Sequence, residues 1–383
     1  MISFKKVYFA RLIFFSLISL SSGFLVAAKA FAFELNDISV LLPLPKSIED
    51  AALLSPQSVG AAGVLMPDFV KQALASEIAG VEQFRVVALR IDPCFPNLDF
   101  KHPENCRAQI RLVWQVLRFE NHQVTSRDTA IHTFYEITQP ELQQLLSEIS
   151  QLKKNSSAVP AGQPLSVHPI ISQQGLHGDY WQNLRALVLS LTGANRLSRF
   201  TLMVGANPFW TFQGFDVANN SARKISIPVL DKPIEVFSNF SRNSLNYLGG
   251  VGLNPQSPDA FNELVSNSQQ FAHGQQTLKQ KTVDAIFRVE SPKFNNPETI
   301  NCSSCHVAQG ARSWFLRNSF EVDLENNPFR FQAGANSRPD NTYSTSTINL
   351  RNFGYFNKAP AISQRVVNET ALIVKQLNSA AAK

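Results

Sequence analysis

Three stretches, 84–91, 109–119 and 129–137, are rich in Val, Ile, Phe, Tyr or Trp, and the second also alternates in twos. That is the period and composition of β-strands. In the second stretch Ile110, Leu112, Trp114 and Val116 share a wholly apolar face, while Arg111, Val113, Gln115 and Leu117 make the other face mixed. Thr138-Gln139-Pro140-Glu141 is a capping box with Pro in the first turn, and Leu142, Leu145, Leu146, Ile149 and Leu152 follow at helical spacing. This helix should pack on the sheet. Residues 153–164, with Asn155, Ser156, Ser157, Pro160, Gly162 and Pro164, read as a linker or long loop. Beyond it the pattern gives a helix over 180–192 stopped by Gly193, then strands near 199–204, 209–217 and 224–230. The last two strands are joined by a turn at Asn219-Asn220.

From residue 257 the texture turns helical and polar. Ser257-Pro258-Asp259 caps a helix carrying Phe261, Leu264 and Val265, and a second helix over 275–290 places Leu278, Ile286 and Val289 on one face. A segment rich in Phe, Asn and Pro runs to about residue 360, and Ile362, Val366, Ile373 and Leu377 then form an apolar helical stripe. At the other end, 33–64 read as an irregular lead-in and 68–79 as a short helix entered through Pro67. The pattern therefore predicts an α+β fold: a mixed antiparallel-sheet and helix region over 33–245, or two smaller units breaking near 153–164, followed by a mainly α region over 246–383.

The first 32 residues carry Lys5, Lys6 and Arg11, then an apolar run, then small residues at Ala28, Ala30 and Ala32, the layout of a cleaved export signal. The alternative is an uncleaved membrane anchor. Cleavage leaves no membrane span in the mature chain. It also removes four basic residues and no acidic one, so 31 basic side chains face 29 acidic ones and the mature net charge is near +2. Neither that balance nor any Lys/Arg block marks a nucleic-acid partner. Cys94 and Cys106 are separated by turn formers that include Pro96, Asn97 and Pro103, and in an exported chain they read as a disulfide closing a surface loop.

The other two cysteines belong to Cys302-Ser303-Ser304-Cys305-His306. CxxCH is the attachment signal for c-type haem: two thiols about one helical turn apart add to two vinyl groups, and the adjacent histidine becomes the proximal iron ligand. Export and motif thus predict one compartment, periplasmic or otherwise outside the bacterial cytoplasm, and one covalent haem c. With helices before the motif and at the C-terminus, residues 257–383 resemble the layout of a small c-type cytochrome. That resemblance implies a cytochrome c-like C-terminal domain, terminal helices crossing beside the haem and a downstream Met as distal ligand.

This chain departs from that pattern twice. An irregular stretch, 291–301, precedes Cys302, and neither Met nor His occurs after His306. His273, the nearest upstream imidazole, is the candidate distal ligand, with a helix C-terminal role as its alternative; Lys358 and Tyr343 are unusual options. Met203 reads as strand core, and His102, His122, His132, His168 and His177 read as solvated or capping residues. Arg312, Arg317 and Arg330 are candidate cations for the haem carboxylates, and Trp314, Phe315 and Phe320 candidate apolar walls. The expected function is an electron carrier with a redox partner protein. A haem enzyme or gas sensor with an open sixth iron position, and a binding protein with an accessory haem, are the alternatives. Zinc at Cys302, Cys305 and His306 lacks a fourth ligand, and a redox dithiol lacks the preceding buried strand.

Overall fold

The computed structural model describes residues 32–78, 80–96, 106–156, 160–206, 209–238, 261–266, 268–318, 320–332 and 350–381. The expected export signal, the 257–259 cap, His102 and Tyr343 lie outside them. The chain begins with α1 (Leu35–Ile38), β1 (Ser39–Leu41), a small hairpin of β2 (Val59–Gly60) and β3 (Gly63–Val64), and α2 (Asp68–Leu74). Then come β4 (Phe84–Phe95), β5 (Arg107–Glu120), β6 (Gln123–Ile137), α3 (Gln139–Lys154), α4 (Pro169–Gln174) and α5 (Asp179–Leu191). They are followed by β7 (Leu197–Ala206), β8 (Phe209–Ala218), β9 (Ser221–Lys224) and β10 (Glu235–Ser238). The C-terminal part holds α6 (Asn262–Ser266), α7 (Ser268–Ala272), α8 (Gln276–Glu290), α9 (Cys302–Asn318), the hairpin β11 (Phe353–Phe356) and β12 (Ala359–Ile362), and α10 (Gln364–Ala381). The fold is α+β, with an antiparallel sheet in the N-terminal part and helices in the C-terminal part.

The main sheet runs β1-β4-β5-β6-β7-β8-β10, with β9 also paired to β8. Strands from both sides of the 153–164 break meet in it, because β6 pairs antiparallel with β7. The apolar face of β5 joins a large core with Leu142, Leu145 and Ile149 of α3 and Trp181, Leu184 and Val188 of α5. Thr138 caps α3 as its sequence requires: its hydroxyl accepts from the Glu141 amide at 3.4 Å, and Glu141 accepts from the Thr138 amide at 2.8 Å. The strand expected over 224–230 is not formed: β9 lies upstream at Ser221–Lys224, and the following residues make a turn in which Ile227 bridges to Lys232, Pro228 has no amide to donate and Val229 and Asp231 adopt positive φ.

Residues 32–383 cluster as one compact unit. The C-terminal segment shares the first core through Phe353, Tyr355, Ile362, Val366 and Val367. Gln115, on the mixed sheet face, clasps the β11 backbone: its amide donates to the Tyr355 carbonyl at 2.8 Å and accepts from the Tyr355 amide at 2.7 Å. Neighbouring Gly354 has φ +141°, and a Cβ there would lie 2.4 Å from the Gln115 oxygen, so only glycine fits. A second core joins Trp210 and Phe212 of β8, Phe237 of β10 and Ile286 of α8 to Val307, Trp314 and Phe315 of α9. Among the described residues no helix is long and apolar enough to cross a membrane.

Candidate functional site

Cys302, Cys305 and His306 occupy the first turn and a half of α9. The helix starts there because buried side chains satisfy its first donors. Asn301 accepts from the Ser304 hydroxyl at 2.6 Å, and Glu235, on β10, accepts from the Ser303 amide at 3.1 Å, from the Asn301 side chain at 2.5 Å and from the Ser303 hydroxyl. Glu235 also places negative charge at the positive end of the helix. Both thiols are free, and Cys305 receives a contact from the Asn352 amide at 3.7 Å. Burial pushes the Cys302 thiol well above its usual range, with Glu235 and Cys305 adding to the rise, and pushes Cys305 up to about 11. A redox dithiol needs the opposite shift.

His306 is fixed by one bond: its Nδ1 lies 2.5 Å from the carbonyl oxygen of buried Leu350. With the proton held at Nδ1, the Nε2 lone pair is the one available to a metal, which is how a second-sphere carbonyl sets the tautomer of a ligating histidine. Burial lowers the imidazole to about 4; the Leu350 bond opposes the drop and Arg351 adds to it, so the ring is neutral at neutral pH. Phe212 packs against it, ring centres 5.1 Å apart.

All three motif side chains line a cavity of about 490 Å³, within the size range of cofactor pockets. Its opposite wall is the mixed face of the sheet. Register puts Arg90 opposite Arg111, Val113 opposite His132, His132 opposite Thr201, and Met203 opposite Phe212, and directly opposed residues share a face. Ile227, Ile300 and Phe134 add apolar surface.

One margin is cationic. Arg90 pairs with Asp92 at 2.6 Å and with Glu369, Arg365 pairs with Glu369 at 2.6 Å, and Arg111 lies 3.0 Å from Asp92. Three arginines thus share two buried carboxylates. Arg111 donates through Nε to Asp92 at 3.1 Å, but its buried Nη2, despite its nearness to Asp92, has no hydrogen-bond partner, so the surplus positive charge is left on its side of the cluster. Burial, joined by Arg90, lowers the Arg111 pKa. Glu369 shows the converse: burial raises its carboxyl, but Arg90, Arg365 and Arg111 outweigh that and hold it well below the carboxylate range. The arrangement can hold a flat, mostly apolar cofactor with an anionic edge, tethered by two thiols and ligated by one imidazole. Among the described residues no three His, Cys, Asp or Glu side chains are arranged to hold a bare metal ion.

The structure brings Cys302, Cys305 and His306 together, and joins Cys94 to Cys106 in a disulfide. It does not bring His273 to them: that residue is exposed at the end of α7 and does not line the cavity. Arg312 pairs with Glu290 at 2.9 Å, Arg330 donates to the Leu324 and Glu325 carbonyls, and neither these nor Arg317 lines the cavity. Trp314, Phe315 and Phe320 stack on one another away from it. Lys358 reaches Gln123 at 3.1 Å. The cations and the second imidazole of the cavity are instead Arg90, Arg111, Arg199, Arg351, Arg365 and His132. Sequence reasoning missed them; the one available signal was the mixed face of the second strand, with Arg111 at its centre. No family model matches the chain, and no curated protein or solved structure does.

Proposed function

We propose that this chain is an exported monohaem c-type cytochrome that carries electrons to or from a periplasmic redox partner. One observation carries the reading: both thiols of the CxxCH string and a histidine whose Nδ1 is bonded to the Leu350 carbonyl open into the same cofactor-sized cavity. When bound, haem supplies a reversible one-electron iron couple. Cys302 and Cys305 would hold its edge as thioethers, His306 Nε2 its iron, and the surplus cation of Arg111 would face its carboxylates. The rest of the chain keeps these donors still. Glu235 pins the start of α9, the Leu350 carbonyl orients His306, and Arg365 fixes the irregular approach to the motif through the Val289 and Asn295 carbonyls at 2.8 and 2.7 Å. Electron transfer asks for rigidity of this kind and for no acid or base aimed at a substrate. The export leader and the Cys94–Cys106 bridge support an oxidising compartment.

The test is haem staining on a denaturing gel after expression with haem-attachment machinery. The unmutated chain should stain, from a mature species beginning after Ala30 or Ala32, and Cys302→Ser/Cys305→Ser should not. An unstained wild-type chain would overturn the proposal.

A further inference from the structure

The motif leaves the sixth iron position unassigned, and the cavity offers a short choice of donors to fill it. Besides the three motif residues, the lining imidazole, thioether and carboxylate side chains are His132, Met203, Asp216, Glu298 and Glu369; Gln213 and Asn352 also carry buried unpaired amide atoms there, but a neutral amide is a much weaker iron ligand than an imidazole. The carboxylates are taken: Asp216 and Glu298 pair with Arg199, and Glu369 with Arg90 and Arg365. Met203 is 4% exposed and packed into the second core beside Trp210 and Phe212. His132 is different. It sits in the middle of β6, paired on both sides, with Val113 of β5 and Thr201 of β7. The ring is deep in the protein yet only partly covered, and its open surface faces the cavity.

Neither ring nitrogen of His132 has a hydrogen-bond partner among the described residues; its one ring neighbour is Phe134 at 6.5 Å. The ring is half-buried, and its nitrogens stay open to whatever fills the cavity. Polar groups left unpaired at the wall of a pocket mark where a ligand atom belongs.

We infer that His132 of the sheet is the distal iron ligand facing His306, so that the haem is held between the mixed face of the sheet and the first turns of α9. The inference rests on the haem reading above. It gives the α+β region a task that the motif alone does not: supplying the second axial ligand and, through Arg90 and Arg111, the charge around it. Paired imidazoles also imply a reduction potential below that of a His/Met haem.

The experiment uses the exported, full-length chain, and the denaturing-gel stain is read first. An unstained wild type overturns the haem reading and this inference together; a stained one leaves the spectra to judge His132 alone. Stained wild type should be low-spin in both oxidation states, show the near-infrared ferric signature of two nitrogen ligands, and leave its ferrous spectrum unchanged under carbon monoxide. His132→Ala should keep the stain, turn high-spin and bind carbon monoxide stoichiometrically, and added imidazole should restore the low-spin spectrum. Met203→Leu should remain low-spin. If His132→Ala fails to accumulate, His132→Gln and His132→Met serve: the first should be high-spin, the second should acquire a sulfur-ligand signature. A high-spin wild type, a low-spin His132→Ala without imidazole, or loss of the low-spin form in Met203→Leu would each overturn the assignment.

Discussion

Glu235 is where the motif helix is most exposed to a single change. Its buried carboxylate accepts from the Ser303 amide at 3.1 Å, the Asn301 side-chain amide at 2.5 Å and the Ser303 hydroxyl, and it faces the N-terminus of α9. Hydrogen bonds to a charged group contribute about 1.5–3 kcal/mol each, and a stranded buried donor costs about 1–3 kcal/mol. The three share one acceptor and do not add fully. Glu235→Ala should therefore lose about 3–5 kcal/mol, a large share of the 5–15 kcal/mol that holds an ordinary domain together. Glu235→Gln keeps one oxygen but turns an amide toward a donor, and should lose about 1.5–3 kcal/mol.

Urea unfolding of the wild type and both variants measures the loss, provided the slope with denaturant stays constant. Hydrogen exchange locates it: amides of Ser303 to His306 should exchange more than about a hundredfold faster in Glu235→Ala, and up to a few thousandfold, since each ~1.4 kcal/mol is a factor of ten. The reasoning is refuted if Glu235→Ala lies within about 1 kcal/mol of wild type, or if Glu235→Gln is the more damaging of the two.

Glu369→Gln leaves Arg90 and Arg365 without their shared carboxylate and should cost about 3–5 kcal/mol in the same unfolding assay, while Arg365→Met/Glu369→Gln should cost clearly less than the two single changes combined; additive losses would count against the cluster. His168 is buried, caps α4 through Nδ1 at 3.3 Å from the Ile171 amide, and is lowered by burial first, then Lys153, to about 3. The unfolded chain takes up this proton below about pH 6.5 and the folded chain resists to about 3, so the site contributes stability above 6.5 that drains as pH falls toward 3, by at most about 1.4 kcal/mol per unit. His168→Asn keeps an N-cap and should flatten that slope relative to wild type; parallel stability-pH curves would contradict the assignment. Replacing Cys94 and Cys106 together by Ala should lower stability by about 3 kcal/mol for a bridge spanning 12 positions, read from urea midpoints, and no change in midpoint would show the loop is already fixed by the β4–β5 ladder.

Local signals were readable in the sequence and long-range ones were not. The Thr138 capping box, the Asn219-Asn220 turn with φ of 51° and 56°, and the apolar face of β5 each depend on neighbours a few positions away. The Cys94–Cys106 pair was legible for a similar reason: two thiols across a short loop have few other partners. His132 shows where this stops. Its period of two with Ala130 and Phe134 was visible, but a mixed strand face looks the same whether water or a second layer covers it. Here the cover is α9 and α10, more than 150 residues downstream, and Arg90 finds Glu369 at a separation of 279 positions. Charges that look solvated in sequence are buried once those elements dock.

The two departures from a small cytochrome then have one physical cause. A compact haem domain must find both axial ligands and its helix approach within its own length, which is why a downstream methionine belongs to that pattern. Here the wall opposite the motif helix is a preformed sheet, and any donor standing on it must come from upstream strands. A methionine after His306 is unnecessary under that arrangement. The irregular stretch before Cys302 is accounted for in the same way: its Asn295 carbonyl is held by Arg365 of α10, and the same arginine pairs with Glu369, which reaches Arg90 in the sheet. The segment needs no helix of its own because the sheet and the last helix hold it from both sides. If His132 is the distal ligand, the full-length chain carrying only His132→Ala should keep its tethered haem and bind carbon monoxide at once. The α+β region would then be half of the haem site, not an appendage to it.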